Sequence, residues 1–302
     1  MIEAQDERLR PGADEAFSDA VTFAFGDADA ELFASARIGF APAAATLSAL
    51  AVVFAGREPV GALARGDIPA DDVDWQAAEA GGVRATIEEP LRRWSVAFEG
   101  EGAGFSARFE ALAEPLEFGS ESAAALAGGV EAYEHLCAVE AEVTVAGEMR
   151  ALRCLGHREH SWGAPRWDDV GRAAVLSAWL APDRAIALRT VRPAGAPGHE
   201  DEAVSAVLLE TDPADPDATA KPNAVAVPRL STTYDDAGHQ RRAGLELWVG
   251  EEDQVPRRAG GRALCGTTLE LGRIALDAAF FAWTMEGRAG VGRYDALRRT
   301  DA

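Results

Sequence analysis

Residues 94–111 read WSVAFEGEGAGFSARFEA, and this stretch indicates the fold. Large apolar residues alternate with small or polar ones from Trp94 to Phe98, and again from Phe105 to Ala111. A period of two places the apolar side chains on one face of a β-strand. The glycine-rich residues 99–102 between the two runs are typical of a turn. The stretch therefore predicts antiparallel strands that are each buried on one face.

The same alternation recurs along the chain, in Val139–Val145, Leu245–Val249 and Phe281–Glu286. Turn signals separate such runs at short intervals, which is typical of an all-β sandwich or barrel. Helical patterning is weak. Residues 121–136 could form one helix, although Gly128-Gly129 interrupts it. A division near residue 150 gives two β-rich domains, 1–150 and 151–302, each large enough for a barrel.

The composition excludes several classes of protein. The chain has 302 residues, with 50 acidic side chains against 29 basic ones and a formal charge of −21. Such a charge repels nucleic-acid backbones and anionic membrane surfaces. Hydrophobic residues make up 48%, which excludes a disordered chain.

Location and redox state follow from local patterns. The most apolar stretch, residues 41–55, is shorter than the roughly 20 residues that span a bilayer. The first ten residues are acidic and lack an apolar run, so we expect no secretory signal. Three widely spaced cysteines without a CxxC pair predict reduced thiols in a cytoplasmic protein.

The densest polar and aromatic cluster follows a strand-like segment and occupies residues 156–169, with the sequence GHREHSWGAPRWDD. If the strand continues, His157, Glu159 and Ser161 share one face, while Arg158, His160 and Trp162 share the other. One of these faces must point inward. Buried ionisable groups are costly unless paired, and they are over-represented at functional sites.

Four interpretations of this cluster remain open. A metal site would need His157, Glu159 and His160 to converge, but His160 points away from the other two on a strand, and we expect no metal. A serine hydrolase would need a strand-to-helix elbow at Ser161, which the all-β prediction does not provide. The cluster could instead be a buried His-Glu-Arg network that locks a strand crossing. It could also be an acid–base site that lines a cavity.

Two motifs together resemble a known family. EPLRRW at residues 89–94, followed by GHREHSWG at residues 156–163, is similar to the double-lipocalin group of carotenoid hydratase-like and AttH-like proteins. The resemblance implies two lipocalin-like antiparallel β-barrel domains side by side, with a cavity for an elongated apolar molecule. Activities in this group include the addition of water to isoprenoid double bonds and the cyclisation of prenylated or polyketide chains, without a cofactor.

The resemblance also implies roles for residues. Glu159 stands where the family usually has Asp, and it would be the catalytic acid that protonates an alkene. His157 or His160 would hold this acid or relay a proton. A carboxyl group that is neutral at pH 7 requires a raised pKa, which burial in an apolar cavity can supply.

The substrate-binding residues that we predict are largely aromatic or cationic: Trp162, Trp167, Arg158, Arg166 and Trp94. Aromatic faces stabilise a carbocation by roughly 0.5–2 kcal/mol per ring. The resulting hypothesis is a hydratase or cyclase that acts on an isoprenoid or similar apolar substrate. The alternative is a non-enzymatic carrier of an apolar ligand. Glu159 facing an apolar cavity would favour the enzyme, whereas pairing with Arg158 or Arg166 outside a cavity would favour a structural network.

Overall fold

Antiparallel strands form almost all of the described chain. This computed structural model describes residues 2–12, 14–70, 72–196, 198–211, 218–250 and 252–300. The first lobe contains β1 (Ser18–Asp27), β2 (Leu32–Ala41), β3 (Thr46–Ala55), β4 (Glu58–Pro69), β5 (Ala77–Ala80), β6 (Val83–Glu89), β7 (Arg93–Glu99), β8 (Ala103–Ala111), β9 (Leu116–Phe118), β10 (Val130–Val145) and β11 (Glu148–Gly163). The second lobe contains β12 (Val170–Ala181), β13 (Arg184–Pro193), β14 (Ala203–Glu210), β15 (Lys221–Ala224), β16 (Val227–Tyr234), β17 (Gln240–Trp248), β18 (Arg257–Leu271), β19 (Ile274–Met285) and β20 (Arg288–Arg299). The helices of the described residues are α1 (Ala123–Gly128) and the 3-10 helices η1 (Ala4–Glu7) and η2 (Pro42–Ala44).

Each lobe is one antiparallel sheet. The first follows the order β4-β3-β2-β1-β11-β10-β8-β7-β6-β5, with β9 paired to β10. The second follows the order β15-β14-β13-β12-β20-β19-β18-β17-β16. The two sheets form near-barrels or half-barrels side by side, which confirms the predicted all-β, lipocalin-like class.

The predicted hairpin is present in β7 and β8. Their residues pair in antiparallel register, with Trp94 opposite Phe109 and Phe98 opposite Phe105. Buried and more exposed positions alternate along both strands, as the sequence pattern predicts. The inward aromatic side chains pack in the core of the first lobe. The period-two pattern therefore reflects strands with one face in the core.

The helix proposed for residues 121–136 is wrong beyond its first turns. Helix α1 ends at Gly128, and Gly129 caps it in the left-handed conformation with φ of 78°. Glycine adopts this conformation without the steric cost that other residues meet there. The chain then continues as β10, where β-branched and aromatic residues pack between two neighbouring strands.

A third apolar cluster joins the two lobes. The ring of Phe280 in the second lobe lies 5.4 Å from that of Phe33 and 6.1 Å from that of Phe54, both in the first lobe. Trp179 packs on the other side of Phe280, with 6.4 Å between the ring centroids. The lobes are therefore joined by buried aromatic packing, in addition to the chain connection.

The chain passes from the first sheet to the second between Gly163 and Val170. This passage lies after the division predicted near residue 150, and that division remains a prediction about independent domains. Among the described residues, no helix is long and apolar enough to cross a membrane. The cysteines Cys137, Cys154 and Cys265 are all free.

Candidate functional site

Strand β11 separates two buried polar regions. It lies between β1 and β10 in the first sheet, and Glu159 is opposite Thr22 on one side and Glu134 on the other. His157, Arg158, Glu159 and His160 are all buried, at most 5% exposed. Because neighbouring side chains on a strand point to opposite faces, the four residues divide into two pairs with different surroundings.

His157 and Glu159 lie on the face that is turned toward the second lobe. Here the lobes enclose a cavity of about 340 Å³. Glu159, Arg37 and Trp162 line it from the first lobe, and Arg189, Arg293 and Asp295 from the second. Its other walls are mainly apolar and include Leu271, Ile274, Leu276 and Leu297. The cavity thus combines a charged end with a hydrocarbon lining, which is common in binding sites for organic molecules.

Glu159 is ionised in this cavity. An oxygen of its carboxylate lies 2.9 Å from a guanidinium nitrogen of Arg189. Burial alone would raise the pKa of Glu159, but the charges of Arg189, Arg293 and His157 outweigh burial and lower that pKa to about 2. This direction is opposite to the one that a general acid needs. Glu159 pairs with neither Arg158 nor Arg166.

A hydrogen-bonded chain supports the charged end of the cavity from behind. Arg293 Nε donates to Asp295 at 2.7 Å, and Arg293 Nη1 lies 3.4 Å from His157 Nε2. His157 Nδ1 lies 2.8 Å from the hydroxyl of Ser177, which donates to Glu134 at 2.8 Å. His157 therefore contacts the cavity only through Arg293, and its position fits an orienting role.

Arg158 lies on the opposite face of β11, inside the first lobe. Its guanidinium donates to Glu7 at 2.5 Å and to the hydroxyl of Tyr133 at 3.0 Å. It also lies over the ring of Trp94, 4.7 Å from the centroid, and Trp94 Nε1 donates to Glu7 at 2.7 Å. The two sequence motifs therefore meet in a buried network that closes the end of the first lobe.

His160 belongs to the same inner region. Its Nε2 lies 2.6 Å from Asp19, which also accepts a hydrogen bond from Trp75 Nε1 at 3.0 Å. The ring nitrogen Nδ1 lies 3.3 Å from the hydroxyl of Tyr133. His160, Arg158 and Trp94 thus lie on the far side of β11 from the cavity.

The remaining predicted residues flank the cavity. Trp162 and Trp167 line it, and the guanidinium of Arg10 stacks over Trp162 at 4.4 Å. Arg166 is exposed and donates to the carbonyl oxygens of Leu126 and Ala127 at the end of α1. Trp162 borders the cavity, but its ring lies 5.4 Å from that of His160 and 6.0 Å from that of Tyr133, toward the inner side of β11. Of the predicted site residues, the structure therefore brings Glu159 and Trp167 to the cavity, with His157 behind them.

Sequence reasoning missed the arginines that give the cavity its charge. Arg37, Arg189 and Arg293 come from β2, β13 and β20. The available signal was an isolated arginine inside an otherwise apolar strand, as in Ala-Leu-Arg-Thr-Val around Arg189. Such a residue must either face water or find a polar cavity, because an unpaired buried charge is costly.

No group of three or more His, Cys, Asp or Glu side chains that could hold a metal ion occurs in the part of the chain that the structure describes.

Three solved structures illustrate the similarity of this fold to known proteins. Kievitone hydratase from Nectria haematococca superposes with a TM-score of 0.65 at 10% identity, covering 94% of this chain and 89% of the other. A putative AttH from Nitrosomonas europaea gives 0.61 at 12% identity, covering 93% and 92%. CghA in complex with Sch210972 gives 0.64 at 13% identity, covering 95% and 89%. At these identities the likeness establishes the fold alone.

Comparison of the sequence with known families identifies one match. The family model described as "Domain of unknown function (DUF7064)" matches residues 3–299. No curated protein matches the sequence.

Proposed function

The chain belongs to the DUF7064 family, and we propose that it is a cofactor-independent hydratase or cyclase that acts on an apolar organic molecule in the cavity between its lobes. An isoprenoid, or a similar elongated molecule, is the substrate class that we propose. Kievitone hydratase is named for hydration, so the shared fold supports a reaction of this kind without establishing it.

One observation carries the proposal. Three arginines and two carboxylates converge at one end of a cavity whose other walls are mainly apolar. A purely structural ion pair has no need to line a cavity. Charged groups held in a site with little water are costly to bury, and they interact strongly with charge that develops on a bound molecule.

Glu159 enters this proposal as a carboxylate. With a pKa of about 2 it carries no proton at neutral pH, so it is not the source of a proton in the resting protein. Its ion pair with Arg189 instead fixes the position of that guanidinium. The role that we propose for Glu159 is therefore to orient an arginine and to balance positive charge.

The arginines supply the chemistry in this mechanism. Guanidinium N–H groups of Arg189 and Arg293 would donate to an oxygen of the substrate and stabilise the negative charge that develops there. A double bond conjugated to that oxygen then becomes more electrophilic, which promotes ring closure or addition of water. In the addition, the water oxygen bonds to the β-carbon and the proton that the water releases ends on the α-carbon. The ring of Trp167 and the apolar walls would hold the hydrocarbon part. His157 would keep Arg293 in place through its ring nitrogen.

The test combines a substrate panel with a matched pair of variants. Purified protein is incubated with polyenes and prenylated compounds, and products are followed by mass spectrometry. For a compound that is converted, we expect Glu159→Gln to lower kcat by about 100-fold, as the loss of one preorganised electrostatic contact does in other enzymes. The dissociation constant should change little. Glu140→Gln alters an exposed carboxylate that is paired only with exposed Arg153, and it should leave kcat unchanged.

A carrier function is the second candidate, and the low pKa of Glu159 favours it. A cavity without a neutral carboxylic acid can shelter an apolar molecule without protonating it. Binding across the whole panel with no product would support the carrier and refute the enzyme. Turnover that Glu159→Gln leaves unchanged would refute the role of Glu159 and leave the enzyme intact.

A further inference from the structure

Arg37 is a cation without its own counterion in the cavity between the lobes. It projects from β2 and lines the charged end beside Glu159. Within the described residues its guanidinium makes no hydrogen bond to a side chain and no ion pair. Arg189 and Arg293, by contrast, are paired with Glu159 and Asp295. The charged end thus has one more positive than negative group.

The surroundings of Arg37 do not neutralise it. The pKa of Arg37 is lowered overall. Burial is the main cause and the charge of Arg293 adds to it, whereas the carboxylates of Glu159 and Asp19 act in the opposite direction. Both carboxylates are already engaged, Glu159 by Arg189 and Asp19 by His160. Arg37 is therefore partly desolvated without a partner in direct contact, and an arginine does not shed its proton in proteins.

A second donor at the charged end of the cavity is also unsatisfied. Nε of Arg189 is buried and has no hydrogen-bond partner within the described residues, whereas Nη2 of the same guanidinium lies 2.9 Å from Glu159. Native proteins rarely leave buried polar groups unsatisfied, and a ligand is one way to satisfy them.

We propose that this end of the cavity is a carboxylate subsite, in which Arg37 pairs with the single negative charge of an amphiphilic organic acid. The apolar part of the acid would lie against Ile274, Leu276 and Leu297. The inference deepens the proposed function, because it assigns a substrate class to the same cavity. A guanidinium presents paired N–H donors that match a carboxylate.

Geranic acid and geraniol test the subsite, since they share one carbon skeleton and differ in charge. Binding is measured by calorimetry at pH 7.5, where the acid is ionised. We expect the wild type to bind the acid at least tenfold more tightly than the alcohol. Arg37→Gln should weaken binding of the acid at least tenfold and leave binding of the alcohol unchanged. The ratio of the two dissociation constants should then be near one. Arg153→Gln removes a fully solvated arginine and should preserve the ratio.

Four results would overturn or separate the claims. A wild-type ratio near one refutes the subsite directly, without any variant. An unchanged ratio in Arg37→Gln refutes the role of Arg37, and Arg37→Met, which also removes the charge and keeps an unbranched side chain, provides the same comparison if the Gln variant does not fold. Turnover of uncharged compounds alone would leave the proposed function standing and refute the subsite. A preference for acid that depends on Arg37, without turnover, would support the subsite and the carrier.

Discussion

Replacing Glu7 by Gln should strongly destabilise the first lobe. Glu7 is 2% exposed and its partner Arg158 is fully buried, with 2.5 Å between the charged atoms. Gln keeps the shape of the side chain and an oxygen that can still accept from Trp94 Nε1. It removes the negative charge beside a cation that water cannot reach, and it turns an NH2 group toward Arg158 and Tyr133, which both donate to Glu7.

The expected cost is about 3–5 kcal/mol in the free energy of unfolding, the usual result when one partner of a buried ion pair is removed. The rings of Trp94 and Tyr133 remain beside Arg158 and recover part of this energy, so we expect a value near the lower limit. Removing both charges in Glu7→Gln with Arg158→Met should restore most of the stability. Glu140→Gln, which breaks an exposed pair, should cost less than about 1 kcal/mol.

Urea unfolding as a function of pH distinguishes charge from packing. Burial raises the pKa of Glu7, but Arg158, Tyr133 and Trp94 together lower it below 4.5. A carboxyl with a lowered pKa in the folded state stabilises the protein above its ordinary pKa, and this stability is lost as the pH falls through the folded pKa. The difference between wild type and Glu7→Gln should therefore shrink below about pH 4.5. A difference under 1 kcal/mol at pH 7, or one that persists unchanged in acid, would refute the electrostatic explanation.

Two further predictions concern the core. Burial raises the pKa of Cys154 and of Cys265 to about 12, so we expect both thiols to react with Ellman's reagent at pH 8 far more slowly in the native protein than in urea; rapid native labelling would contradict this. Phe280→Ala should cost about 3–5 kcal/mol in urea unfolding, because the ring is buried between Phe33 and Phe54 at the lobe interface. A loss below 1 kcal/mol would mean that the interface does not depend on this ring.

Local patterns predicted the strands because alternation is a property of neighbouring residues. Trp94, Phe98 and Phe109 are buried by the same periodicity that is visible in the sequence. The proposed helix over residues 121–136 failed at Gly129, where a cap ends α1 and tertiary pairing makes the following residues a strand. Local helical preference is weak compared with pairing on both sides of a central strand.

The candidate site shows where such reasoning ends. The cluster around Glu159 was visible because its residues are adjacent in the chain, and its burial was expected. The lowering of the pKa of Glu159 was not expected, because it depends on Arg189 and Arg293. These residues come from another sheet, and no local pattern specifies which strand of the second lobe faces β11. Arg37 lies in the same sheet as Glu159 but two strands away, and no local pattern specifies that strand order either.

The two faces of β11 have a consequence for how this family can diversify. Even-numbered positions such as Arg158 and His160 belong to the closed interior of the first lobe, where most substitutions reduce the amount of folded protein. Odd-numbered positions such as Glu159 and Ser161 border the cavity. Selection for a new ligand can therefore act on every second residue of one strand while selection for folding preserves the residues between them. A mutational library confined to the odd positions that border the cavity, with Glu159 retained as the partner of Arg189, would test the proposed ligand preference while keeping the buried ion pair.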